Sequence, residues 1–184
     1  MIKIETAISG AYIIKPVAYT DERGEFYTSF SREVYTELGI LHFNIAQMNH
    51  SVSKKHVLRG LHYQAGLHAQ AKLVWVNSGS VLDVFVDLRT ESPTYGSWAS
   101  VTLTPNGNCL FVPKGCAHGF LSLEDDTTLN YLCSNPYNKE SERCLIWNDQ
   151  QLDIPWPIVE EPILSYKDKL GLSFEACEKF VVPT

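Results

Sequence analysis

The sequence predicts a mainly β protein, a β-sandwich or jelly roll with a few short helices at its periphery. Three observations carry that expectation: short apolar runs recur with a period of two, turn-forming clusters separate them, and helical segments do not alternate with strands as in a βαβ arrangement. The clearest run is Val81 to Leu88, where Leu82, Val84, Val86 and Leu88 alternate with Asp83, Phe85 and Asp87. Alternation at period two sends these sets to opposite faces, one greasy and one mixed. Similar runs span Lys72 to Val76, Ala99 to Thr104, Cys109 to Val112, Thr127 to Cys133 and Arg143 to Trp147. Turns are expected at Asn77-Ser78-Gly79, Ser92-Pro93, Pro105-Asn106-Gly107-Asn108 and Pro113-Lys114-Gly115.

One helix is expected over Arg32 to Leu38, with Ser31 as its N-cap and Gly39 in the left-handed position past its end. A second is expected over Ser173 to Phe180. The 184 residues, 45% of them hydrophobic, suit a single domain over 1–184, and no repeat or low-complexity linker divides them.

Charge narrows the function classes. Lys and Arg number 15 against 21 Asp and Glu, and the net charge of -6 offers no footprint for nucleic acid or an anionic membrane. Neither a leader pattern nor an apolar run of roughly 18 residues is present, so a soluble, cytoplasmic protein is expected. The five cysteines are odd in number and lack C-x-x-C spacing, which predicts reduced thiols.

Three segments place ionisable groups inside apolar strand patterns. The first is Val57-Leu58-Arg59-Gly60-Leu61-His62-Tyr63-Gln64, followed by Gln70-Ala71-Lys72-Leu73-Val74. In a regular strand Arg59 and His62 point to opposite faces, so their convergence requires a bend at Gly60. The second is Pro113 to Phe120, with His118 between small residues that let a ligand approach the backbone. The third is Leu164 to Asp168, placed to fold back over a barrel mouth. Proton abstraction beside a carbonyl needs a base, a cation or donor to hold the enolate oxygen, and an acid on the opposite face. A His, a Lys and a Tyr answer those needs, because imidazole titrates near 6.5 and a phenol near 10.

With these residues in view, the chain resembles the dTDP-4-dehydrorhamnose 3,5-epimerase family over roughly Thr6 to Leu172. The likeness rests on ordered motifs: DERGEF at Asp21 to Phe26, QMNHSVS at Gln47 to Ser53, VLRGLHYQ at Val57 to Gln64, QAKLV at Gln70 to Val74, and DVFVDLR at Asp83 to Arg89. SPTYG at Ser92 to Gly96, VPKGCAHGF at Val112 to Phe120, WNDQQLDIPWP at Trp147 to Pro157 and LSYKD at Leu164 to Asp168 complete them. The resemblance implies a cupin-type jelly-roll β-barrel and a homodimer that shares strands. It also implies an isomerase that needs no cofactor or metal and acts on a nucleotide-diphosphate sugar. Under it His62 is the base, Asp168 its carboxylate partner, Lys72 the enolate stabiliser and Tyr131 the opposing acid.

The same resemblance directs Arg23, Arg59 and Lys167 to the diphosphate or nucleotide, a role that suits guanidinium forks. Gln47, Asn49, His118 and Glu142 would hydrogen-bond sugar or base, and Phe26 and Tyr137 would pack against them. Asp83 either orients His118 or lies on a polar interior. Three positions depart from the family pattern: Thr28 where a glutamate is common, Trp75 where a basic residue is common, and Cys116 in place of an aromatic. These departures leave open an enzyme that inverts only C3 or only C5, or one acting on a GDP- or CDP-linked sugar. Two other readings compete. A non-catalytic sugar-nucleotide binder explains the arginines but not the His, Lys, Tyr and Asp set. A metal-dependent cupin would show an H-x-H pair, yet His62 and His68 stand six apart and no such pair occurs.

Overall fold

The computed structural model describes residues 1–40 and 45–181. Its first half contains β1 (Ile2–Glu5), β2 (Tyr12–Lys15), β3 (Tyr19–Asp21), β4 (Gly24–Phe26), helix α1 (Arg32–Glu37), β5 (Gln47–Ser53), β6 (Leu58–Gln64), β7 (Lys72–Ser78) and β8 (Val81–Asp87). After these come β9 (Trp98–Leu103), β10 (Cys109–Val112), β11 (Cys116–Ser122), β12 (Thr127–Cys133), β13 (Glu142–Cys144) and helix α2 (Tyr166–Lys169). A six-stranded sheet runs β1-β2-β10-β7-β12-β5 and a five-stranded sheet runs β13-β6-β11-β8-β9, while β3 and β4 pair as a separate hairpin. Every pairing between these strands is antiparallel. This is the expected jelly-roll barrel with peripheral helices.

Both sheets are covered on both sides at their centres, where β8, β10 and β11 are buried along almost their whole length, while the edge strands β1 and β5 keep an exposed face. Val74, Val76, Leu110 and Leu129 of one sheet meet Val81, Phe85, Leu103 and Phe120 of the other in the central core. The far side of the five-stranded sheet, through Leu61, Val84, Val86 and Ala117, packs on Leu152, Phe174 and Cys177 of the C-terminal segment. The far side of the six-stranded sheet, through Ile14, Leu73, Phe111 and Leu132, receives Tyr35 of α1. In β8 the greasy face therefore points outwards to the C-terminal segment, and the mixed face carries Asp83 and Phe85 inwards. All five cysteines are free thiols.

Helix α1 forms as expected: the Ser31 hydroxyl accepts from the Val34 N–H at 3.4 Å, and Gly39 takes φ +70°. The helix expected over Ser173 to Phe180 does not form. One turn closes there, with the Cys177 N–H donating to Ser173 O at 2.8 Å. The chain is then drawn into a bridge between Phe180 and Arg89, which takes its backbone groups away from any further helical turn. The short helix lies instead at α2. The strand expected over Arg143 to Trp147 is also shifted: it runs over Glu142–Cys144, and beyond it Leu145 forms a parallel bridge to Leu172, with the Ile146 N–H donating to Leu172 O at 2.8 Å.

The bend required at Gly60 is present. Between the His118–His62 and Phe120–Arg59 pairs β6 carries one extra residue, a β-bulge that turns Arg59 to the same side as His62. Gly60 has φ +119°, and a Cβ there would stand 2.7 Å from Gly119 Cα. Gly60→Ala is expected to destabilise the fold by about 2–4 kcal/mol, through backbone strain and overpacking together. Thermal melting checks this, and an unchanged midpoint would mean that the bulge tolerates a side chain.

Candidate active site

A cavity of about 510 Å³ opens between the two sheets, a size that suits a small organic ligand. Period-two geometry decides which side chains enter it. From the six-stranded sheet come Gln47, Asn49 and Ser51 of β5, Lys72 of β7 and Tyr131 of β12. From the five-stranded sheet come Arg59 and His62 of β6, His118 of β11 and Glu142 of β13. Tyr137, Lys167 and Asp168 line its mouth and wall. Eleven of the thirteen residues singled out from the sequence thus share one cavity.

His62 Nε2 is hydrogen-bonded to Asp168 Oδ1. A carboxylate only accepts, so Nε2 carries the proton and Nδ1 keeps its lone pair. No described residue bonds Nδ1. Asp168 is held from below by α2, where its N–H donates to the Ser165 hydroxyl at 3.1 Å. Burial pushes the Asp168 carboxyl up, but the His62 hydrogen bond and charge, with Ser165 and Lys167, outweigh it and leave its pKa below the usual value.

Lys72 is buried on the cavity floor and its Nζ donates to His62 O at 3.3 Å. Desolvation lowers its pKa, against the opposing influence of Cys133, Asp83 and Glu142. Tyr131 enters the cavity from the same sheet as Lys72, opposite the strand that carries His62, with Asn49 of β5 and Val74 of β7 as its cross-strand partners. Burial raises its phenol pKa, so it stands as a proton donor. Behind these, His118 Nε2 lies 2.9 and 3.0 Å from the two Asp83 oxygens, so Asp83 orients His118. Burial raises the Asp83 pKa, although the His118 hydrogen bond opposes the rise.

The mouth is a network of polar side chains. Lys167 Nζ donates to Glu142 Oε1 at 2.6 Å and the Tyr137 hydroxyl donates to Glu142 Oε2 at 3.0 Å. Desolvation raises the Glu142 carboxyl, but Lys167 and Tyr137 hold it lower overall. Gln47 accepts from the Tyr137 N–H at 2.8 Å and donates to Asn49 Oδ1 at 2.7 Å. Arg59 donates through Nε to the Ser53 hydroxyl at 3.1 Å. Its Nη1 has no protein partner among the described residues and is free for an anionic oxygen.

Arg23 and Phe26 do not line this cavity. They sit on the β3–β4 hairpin, where Arg23 pairs with Asp21 at 2.6 Å and Phe26 is 69% exposed. The three departures from the family pattern also lie elsewhere. Thr28 is exposed beyond the hairpin, Cys116 is in the central core, and Trp75 faces outwards beside Tyr27 in a second cavity of about 380 Å³. Residues that the sequence did not single out also line the main cavity, among them His50, Ser51, Gln64 and Gln70. Ser51 continues the Gln47, Asn49 alternation and could have been found by it. Gln64 and Gln70 hold backbone carbonyls of the 135–136 turn, which no sequence pattern reports.

A three-His-one-Glu metal set does not assemble among the described residues. The group with metal-ligand spacing there is His62, Cys144 and Asp168, whose donor atoms lie within 4.8 Å of one another. No described helix is long and apolar enough to cross a membrane.

Comparison with known proteins decides the family. The dTDP-4-dehydrorhamnose 3,5-epimerase family profile matches residues 5–176. The chain belongs to this family. The family's enzyme from Salmonella typhimurium is 45% identical over 169 residues, covering 91% of this chain and 92% of that protein. The epimerase of Legionella pneumophila, solved in complex with dTDP-4-keto-L-rhamnose, superposes with a TM-score of 0.91 at 43% identity, covering 96% of this chain and 94% of that one. ChmJ, a 3'-monoepimerase from Streptomyces bikiniensis solved with dTDP-quinovose, superposes with a TM-score of 0.86 at 36% identity, covering 92% and 86%.

Proposed function

We propose that the chain is a cofactor-independent epimerase of a nucleotide-linked 4-keto-6-deoxy sugar, inverting C3, C5 or both by enolisation. The observation that carries this reading is the convergence on one cavity of the His62–Asp168 pair from one side with Lys72 and Tyr131 from the facing six-stranded sheet. His62 Nδ1 takes the proton from the carbon beside the C4 ketone, and Asp168 stabilises the imidazolium that results. The Lys72 ammonium sits where the C4 oxygen gains charge, and its burial strengthens the interaction. Tyr131 returns a proton to the opposite face, which inverts the centre. Both C3 and C5 flank the ketone, so one set of groups serves both after a ring flip. Arg59 and Lys167 at the mouth bind the diphosphate, Lys167 by exchanging Glu142 for phosphate oxygens. Gln47, Asn49, His118, Tyr137 and Glu142 bind sugar or base.

A homodimer completes the reading. The β3–β4 hairpin carries Arg23 and the exposed Phe26 away from their own cavity, and a second copy gives them a cavity to reach. The enzyme then works in the cytoplasm and supplies a deoxysugar for lipopolysaccharide or another cell-surface polysaccharide.

Incubation with dTDP-4-keto-6-deoxyglucose in heavy water, followed by mass spectrometry, tests the reaction. Two carbon-bound deuterium atoms are expected, one for each inverted centre. The likeness to a 3'-monoepimerase favours one label as the second reading, and the absence of label would leave only a binding protein.

A further inference from the structure

We propose that His62, Cys144 and Asp168 form a capture site for a borderline-soft divalent cation of the zinc type, and, resting on the base role proposed above for His62, that its occupation switches off that base. The three residues come from three separate elements. Cys144 of β13 is the direct cross-strand partner of His62 in β6, so their side chains leave the sheet together. Asp168 descends from α2 between them, with Oδ1 3.9 Å from Cys144 Sγ and hydrogen-bonded to His62 Nε2. All three donor atoms fall within 4.8 Å of one another. Zinc bonds of about 2.0–2.3 Å in a tetrahedron need donors somewhat closer than that outer limit, a change within reach of side-chain rotation.

The donor set selects the ion. A thiolate, an imidazole and a carboxylate suit zinc, whereas magnesium and calcium demand oxygen ligands. Three protein donors leave a fourth position open towards the cavity. Glu142 lies two residues before Cys144 on the same face of β13 and adds negative charge, while the Lys167 ammonium, which acts on both Cys144 and Asp168, opposes the cation.

Capture requires that the Cys144 thiol lose its proton to solvent and that the His62 proton move from Nε2 to Nδ1. One proton leaves per cation. The relocated proton occupies the lone pair that would accept a carbon-bound hydrogen, so the base is silenced although the cavity stays open. The cation acts here as an inhibitor and plays no part in the epimerisation.

Titration of the purified chain with zinc chloride against a chromophoric chelator tests the site by binding alone. One zinc per chain is expected, with release of one proton, and magnesium chloride should give no response. Cys144→Ser should weaken zinc binding more than about 100-fold, beyond the usual cost of losing an outer-shell partner. The same variant should retain deuterium incorporation and lose its sensitivity to zinc. Cys144→Ala gives the same reading if the serine variant does not fold. No stoichiometric zinc on the wild-type chain, or equal affinity in a folded Cys144 variant, would overturn the proposal.

Discussion

His62→Ala is expected to lower deuterium incorporation at carbon by about 10⁴-fold, the upper range for loss of a positioned general base. Substrate affinity should change little, because the diphosphate contacts come from other side chains. Equilibrium binding of dTDP together with the heavy-water assay separates the two effects. Ordinary exchange in this variant would remove His62 from the base role. Asp168 should matter in a related way. Its folded pKa is depressed below 3.8, so its contribution to stability is present above that value and is lost as pH falls through the lower, folded one. Acid should therefore weaken the fold and dismantle the His62 pairing together.

Lys72→Met should lower turnover by about 10²–10³-fold, as expected when one donor to a developing oxyanion is removed. The melting temperature should hold or rise. Burial lowers the Lys72 pKa, so its ammonium penalises the folded state below the folded pKa, and the penalty fades as pH climbs from there towards 10.5. A methionine of similar length avoids that penalty, the usual trade of stability for activity in an active site. Calorimetry beside the exchange assay checks both signs. A variant that loses activity and also melts early would place Lys72 among the structural residues.

Much of this arrangement is legible in the sequence because period-two alternation is strict wherever a strand separates core from cavity. β10 and β12 have the bounds that alternation predicts, and the entry of Lys72 and Tyr131 into one space follows from the inward settings of Val74 and Leu129. The need for a bend between Arg59 and His62 is also visible, since two side chains three apart in a strand cannot share a face. What alternation does not carry is the path of the C-terminal segment. It lies on the sheet through isolated bridges at Ile163, Leu172 and Phe180, and such contacts leave no periodic trace. For that reason the sequence expectation of a helix over Ser173 to Phe180 misses the turn that delivers Asp168, which forms upstream at Tyr166–Lys169. The place of Cys144 has no periodic trace either: it comes from register opposite His62, which only strand pairing reveals.

The delivery of Asp168 by α2 orders events during synthesis. Every barrel strand, β1 to β13, leaves the ribosome before Asp168 does. A nascent chain can thus close its sheets and still hold an imidazole with no carboxylate behind it. Proton-transfer competence then arrives as a late event in translation, after the strands that carry His62, Lys72 and Tyr131.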